Sequence, residues 1–423
     1  MYNRIRFALC LVLLFCISVL PALSANLKCF VLRPPDQALS KAKKLAINDF
    51  TGAYGRELTD YLTAALLVKN RGITQVSSGF FSKKEGVTYL SGARTDIFTL
   101  VERSQLEQVK RELSLESSSG LIDENQAASL GKGLGVDAIV IGTVAASSKD
   151  EHDTRKDYEG KSLYCTTRKA SVSVHLRIVD VSTHAILGTK EASYENKDDQ
   201  CGSDVSKLET AAALIGGCLQ ELANHDLADY IAPKFELNKF DFKDIDVKEY
   251  REIGRKAERA IDDGKLDNAY LFYASIVKED TYNDAAYFDM GVLNEVVGNY
   301  QDALDNYQKA LGIRQDDDYA KAVDHCKKAN EFNQVLTGMG VAIEKHVFSV
   351  SEAQMASATA ERIKLRGDRG DRIELRQTAE DAGVLVAKVP GGIELEVVER
   401  SGDWIKVKTF DGKVGFVNKK DLR

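Results

Sequence analysis

From Lys44 onward the apolar positions switch between two periods. LAINDF (45–50) is a short apolar run closed by Thr51 and Gly52, and it reads as a strand. Residues 56–68 then place Leu58, Leu62, Ala65 and Leu66 at helical spacing. DIFTLVER (96–103) is the next strand, and Ser104 stands where it would cap a helix over 105–113, with Glu107 at the capping-box position. Asp123 is placed to cap a helix over 124–132, whose end is marked by Gly131, Gly133 and Gly135. VDAIVIGTV (136–144) is a buried strand by its β-branched content. ASVSVHLRIVDVS (170–182) holds period two, and AILGTKEASYE (185–195) completes a hairpin after Thr183-His184. One long helix over 204–228 closes the region. Strands alternating with helices predict an α/β domain over 25–232.

The pattern then changes. Residues 233–246 alternate in charge around Phe235, Phe240 and Phe242, and read as a linker pinned by its aromatics. Gly264 and Gly298, Ala269 and Ala303, and Tyr273 and Tyr307 are each 34 apart. That period, with GNYQDALDNYQKAL, resembles the tetratricopeptide repeat and implies all-α repeats over 247–336, ending in a capping helix. Such an array is too short to stand alone and is expected to lean on a neighbour. Its groove suits a peptide or helix from a partner protein, with Tyr270, Tyr273, Asn294 and Tyr307 as candidate lining; core packing is the stronger reading for the tyrosines. Residues 337–368 read as a further helix and a linker. VPGGIELEVVERSGDWIKVKTFDGKVGFVNKKDLR (389–423) resembles the bacterial Src-homology-3 (SH3)-like barrel, a small all-β domain over 369–423 with IELR (373–376) as an early strand. Trp404 is its candidate binding aromatic, with a core role preferred, because Gln377-Thr378-Ala379 replaces the usual Ser-Gly-Pro of that family.

FTLVERSQLEQVKREL, GLIDENQAASLGKGLGVDAIVIGTV and VHLRIVDVSTHAILGT together resemble the CsgG family in order and spacing, over about 45–231. The resemblance implies a sandwich of sheet and helices, and a role in secretion or envelope assembly. The family's curli secretion channel inserts two long membrane hairpins. Here SSKDEHDTRKDYEGKSLYCTTRK (147–169) stands at the first position, crowded with charge, and NKDDQCGSDV (196–205) at the second is short. Lipid-facing strands need alternating apolar residues, so a pore of that design is disfavoured. Cys165 and Cys201 fall in these two segments, read as loops at one end of the sheet. A disulfide between them is expected, against the alternative of two free thiols. Residues 72–94, with Phe80, Phe81, Val87, Tyr89 and Leu90, look like an inserted hairpin, preferably at the surface rather than in a membrane.

At the start, Arg4 and Arg6 precede an apolar run over 7–20, then Pro21 and Ala22-Leu23-Ser24. This is the pattern of a signal peptide cleaved after Ser24 or Ala25, with an uncleaved anchor as the rival. Neither Cys10 nor Cys29 follows a small residue as lipidation requires, so no lipid anchor is expected. The expected location is the periplasm or cell envelope. A net charge of −7 disfavours a general nucleic-acid coat. The six histidines are scattered, and no nucleophile elbow, phosphate loop or metal spacing is present. The expectation is therefore no enzyme and no cofactor. The reading is an envelope scaffold that recruits proteins or peptidoglycan, with a homo-oligomer open; the alternative is a component of an outer-membrane secretion channel.

Overall fold

The computed structural model describes residues 25–73, 86–113, 122–156, 158–202, 205–350, 360–368, 370–409 and 412–423. The expected signal segment and Phe80 and Phe81 lie outside the described residues. The layout is the multidomain one expected: an α/β sandwich, a helical middle and a small all-β sheet.

The sandwich is built on a five-stranded sheet. Its strands are β2 (Lys44–Ile47), β3 (Thr99–Leu100), β4 (Ala138–Lys156), β5 (Ser162–Asp180) and β6 (Ile186–Cys201), in the order β3-β2-β4-β5-β6. β2 runs parallel to β3 and β4, whereas the β4-β5-β6 pairs are antiparallel. One face is covered by α1 (Gly55–Leu66) and α4 (Ala211–Glu221), which continues through a π-helical stretch. There Leu45, Val140, Leu176 and Ile178 pack against Leu58, Leu62, Leu214 and Leu219. The other face takes α2 (Arg103–Glu112) and α3 (Glu124–Leu134), which bring Leu106, Ala127 and Leu130 onto Ile139, Ile141 and Val179.

Local chemistry explains the helix ends. The Asp123 carboxylate accepts from the Gln126 amide at 2.8 Å, and Gln126 Oε1 accepts from the Asp123 amide at 3.1 Å, a reciprocal capping box. Gly135 closes α3 in the left-handed region at φ 61°, which L side chains adopt at a cost. Helix α2 begins at Arg103, so Ser104 lies within its first turn and Glu102 occupies the cap.

Residues 233–246 are not a linker. Lys234–Asp241 form β7, which pairs antiparallel along its whole length with β1 (Asn26–Arg33). β1 is buried on both sides. Cys29 turns toward the helical middle, while Phe30 and Leu32 join Leu90, Phe235, Leu336 and Val341. Leu90 is thus a buried anchor, and Phe30 N donates to the Val87 carbonyl at 2.9 Å. This part of the expected inserted hairpin packs on the protein itself.

The helical middle comprises α5 (Arg251–Asp262), α6 (Leu266–Glu279), α7 (Asp284–Val296), α8 (Tyr300–Ile313) and α9 (Asp317–Gly338). No helix follows α9 among the described residues of 339–360, where the sequence pattern had suggested one. Instead 341–348 lies as an irregular strap over the array. Asn299 Nδ2 donates to the His346 carbonyl at 2.7 Å, and Phe348 stacks on Tyr270 with centroids 4.2 Å apart.

The last domain is a six-stranded sheet of β8 (Arg362–Lys364), β9 (Arg372–Arg376), β10 (Leu385–Pro390), β11 (Glu394–Ser401), β12 (Trp404–Lys408) and β13 (Val414–Asn418). It closes on Leu365, Leu375, Val389, Leu395, Ile405, Val407 and Val417.

Candidate binding surfaces

The first candidate surface is the far half of the β4-β5-β6 sheet. Beyond the Ser148–Ala170 pair only Cys165 and Thr166 of the described residues are buried, yet the strands stay paired to their ends: Lys156 opposite Ser162, Cys165 opposite Cys201. The sequence pattern assigned these stretches to loops. They are strands because each backbone group finds a ladder partner and because facing charges compensate one another. Arg168 makes two 2.8 Å contacts to Asp150, and Arg155 reaches Asp199 at 2.7 Å. Glu151 receives both Lys149 (2.8 Å) and Lys169 (2.7 Å), which hold its carboxyl down to about 2. Both faces of this ribbon therefore carry ion pairs.

Cys165 and Cys201 face each other in register and are joined by a disulfide. Cys29, Cys218 and Cys326 are buried free thiols. Burial pushes Cys29 up to about 12 and raises the other two, so none is activated. Non-reducing peptide mapping of the native chain should recover the Cys165–Cys201 pair, with the three buried thiols alkylated only after denaturation. Alkylation of Cys165 without reductant would refute the bridge.

The second candidate surface, the groove of the helical array, is filled by the chain itself. Helices α5, α7 and α9 all contact the β1–β7 ribbon or the residues that follow it. Ile245 sits so close that a methyl group at Gly254 would lie 2.8 Å from it. The Lys243 amide donates to Asp289 Oδ1 at 2.8 Å, the Phe240 ring meets His325 edge-on, and Arg33 lies over Phe332. Accordingly Tyr273, Tyr307 and Asn294 are buried. Asn294 Nδ2 donates to the Met290 carbonyl at 2.9 Å, and Tyr307 donates to Glu295 at 2.9 Å. Tyr270 is half-buried under Phe348. These four are packing residues rather than an open lining, because the space is taken by β1, β7 and the strap that carries Phe348.

The filled groove encloses two carboxyls that sequence reasoning missed, since neither sits in a motif. Glu295 is 3 % exposed and lies 2.7 Å from His325 Nδ1, which raises the imidazole above its ordinary value. Asp289 is fully buried, and its Oδ2 has no hydrogen-bond partner. Desolvation raises Asp289 well above the carboxylate range, opposed by the Lys243 amide and Tyr273, with Glu258 adding to the rise. A raised folded-state value means that the folded chain holds the proton after the unfolded chain has lost it. Stability from this group is therefore full at low pH and falls as pH rises above about 4. Asp289→Asn should consequently be more stable than the parent at pH 7, by about 1 kcal/mol. The gap should close on acidification, as thermal melts across pH would show. A variant that melts lower at pH 7 would mean that Asp289 is ionised and paired.

The third candidate surface is the terminal barrel. Trp404 is not in its core: on β12 the buried residues are Ile405 and Val407, while Trp404 is half-buried. Strand alternation puts Trp404 on the opposite face with Lys406, which lies over the Phe416 ring. Among the described residues no group of His, Cys, Asp and Glu could hold a metal ion.

Residues 89–224 match the family described as curli production assembly/transport component CsgG, and residues 371–423 match the bacterial SH3 domain family. The chain thus carries a CsgG-type domain and a bacterial SH3 domain, in the order that the sequence resemblance implied. No curated protein matches it. Solved structures that resemble it include the LpoB C-terminal domain from Escherichia coli, at 14 % identity over 36 % of this chain and 82 % of that one, with a TM-score of 0.21. Lipoprotein GNA1162 from Neisseria meningitidis shows 16 % identity over 43 % and 99 %, with a TM-score of 0.20. The PelC dodecamer from Paraburkholderia phytofirmans shows 10 % identity over 47 % and 96 %, with a TM-score of 0.18.

Proposed function

We propose that this chain, in which a CsgG-family domain and a bacterial SH3 domain are joined through a helical array, is a non-enzymatic assembly protein of the bacterial cell envelope that works in its aqueous compartment. One observation carries the reading. The strands standing where the family's secretion channel inserts its hairpins bear ion pairs on both faces: Lys149, Lys169 and Glu151 on one, Asp150 and Arg168 on the other. A strand crossing lipid must turn one face of apolar side chains outward, and charges at mid-depth cost about 2–4 kcal/mol each. The Cys165–Cys201 bridge supports an oxidising, exported setting. No helix among the described residues is long and apolar enough to cross a membrane.

In this reading the helical array is an internal brace, since its groove is occupied, and partners are met by the barrel. Trp404 and Phe416, flanked by Lys406, form the surface offered to a protein or to peptidoglycan. The test is fractionation and electrophysiology on the native protein. Carbonate should release it from envelopes, and planar bilayers exposed to the purified chain should stay silent. Stepwise conductance would replace this reading with a secretion pore.

A further inference from the structure

Between the helical array and the barrel lies a cleft of about 430 Å³. Its array wall presents Lys256 and Arg259, one turn apart on α5, and its barrel wall presents Arg362 from β8. Not all of these cations are spent within the fold. Lys265, also lining the cleft, pairs with Asp263 at 2.8 Å, and Arg259 reaches Glu252 at 3.3 Å. Lys256 and Arg362 have no ion-pair partner among the described residues. An ammonium group and a guanidinium group from separate domains thus line one cavity in a chain whose net charge is −7.

Like charges lining a shared cleft repel, and an anion placed between them turns that repulsion into attraction to both walls. The rest of the lining narrows the chemistry. Leu271 and Phe272 are only half-buried and provide an apolar floor. Glu394, exposed on β11, also lines the cleft as an acceptor without an ion-pair partner among the described residues. A bare polyphosphate would satisfy the cations but would meet a carboxylate and an apolar floor with nothing to offer either. An acidic peptide brings carboxylates for Lys256 and Arg362, an apolar side chain for Phe272, and backbone N–H groups for Glu394.

We infer that this inter-domain cleft is a docking site for an acidic peptide segment of a partner protein, held between Lys256 and Arg362 over Leu271 and Phe272. The site is separate from the ribbon and from the Trp404 face, so it stands or falls independently of the aqueous assembly reading. Binding from both walls also fixes the barrel against the array.

The test uses the full chain and a fluorescein-labelled glutamate-rich peptide carrying a single leucine, read by anisotropy. The expected result is saturable binding that weakens with salt and is absent for the lysine-rich counterpart. Lys256→Glu with Arg362→Glu should weaken binding by about tenfold or more without lowering the melting temperature, because both side chains reach solvent. Lys197→Glu with Lys321→Glu makes the same change in net charge away from the cleft and should leave affinity unchanged. The milder pair Lys256→Gln with Arg362→Gln covers any loss of folding in the reversed variant. Absence of binding by the parent chain, equal binding of the lysine-rich peptide, or an equal loss in the remote pair would each overturn the assignment.

Discussion

Deleting residues 25–33 should unfold the helical array while leaving the α/β sandwich folded. β1 belongs to neither sheet of the two flanking domains; its ladder is with β7, and a single parallel bridge ties Cys29 to Val87. Its contribution comes from being buried on both sides. Cys29 is 1 % exposed against the array, and Phe30 and Leu32 are each 3 % exposed against Leu90, Leu336 and Val341. At about 1.5–3 kcal/mol for each fully buried apolar side chain, the strand supplies roughly 6 kcal/mol. That is a large part of the 5–15 kcal/mol available to an ordinary domain. The deletion also strips β7 of its ladder and opens Asp289 and Glu295 to water. The sandwich loses nothing comparable, because its cores are made by α1, α4, α2 and α3 against the sheet. Hydrogen exchange should show loss of protection across α5–α9 and retention across β4–β6. Retained protection in both would mean that the array stands without its filler.

This strand also marks where the sequence stopped being legible. The period of 34 and the small residues Ala269 and Ala303 identify helices that pack closely, because those signals are local. What fills the space between the helices is not local: β1 and β7 are some two hundred residues apart. Nothing in NLKCFVLR or KFELNKFD names the other, so alternating charge in the second was read as a linker. Core packing is the stronger sequence reading for the tyrosines, and Tyr273 and Tyr307 are buried; what the pattern does not supply is the strand they pack beneath. The polar ribbon failed differently. SSKDEHDTRK has no apolar alternation because its strand buries no face; cross-strand ion pairs and the ladder hold it instead. By contrast VDAIVIGTV and WIKVK were readable, since each lays its own buried face into a core.

Arg71→Met should be the most damaging single substitution in the sandwich. The Arg71 side chain is 9 % exposed and ties the end of the helix begun by α4 to the turn that follows α1. Its guanidinium is ion-paired with Asp229 and donates to the Ala232 carbonyl and, at 2.6 Å, to that of Pro233. Those carbonyls terminate the helix and begin β7, so one cation satisfies groups that would otherwise be buried acceptors without donors. Burial lowers the guanidinium value, and Asp229 opposes that shift, as expected of a cation whose solvation comes mainly from fixed partners. Methionine keeps much of the volume but removes every donor, leaving Asp229 with only Lys234 and the carbonyls with none of these bonds. Breaking a buried pair from one side costs about 3–5 kcal/mol, which lowers the melting temperature of a domain this size by about 10 °C. The double variant Arg71→Met with Asp229→Leu separates the causes. If the cost is the stranded charge, the second change should restore about half of the loss; if the carbonyls dominate, it restores little. A single variant that melts within a degree or two of the parent would show that solvent replaces the guanidinium, and that Arg71 is not the clamp between the sandwich and β7.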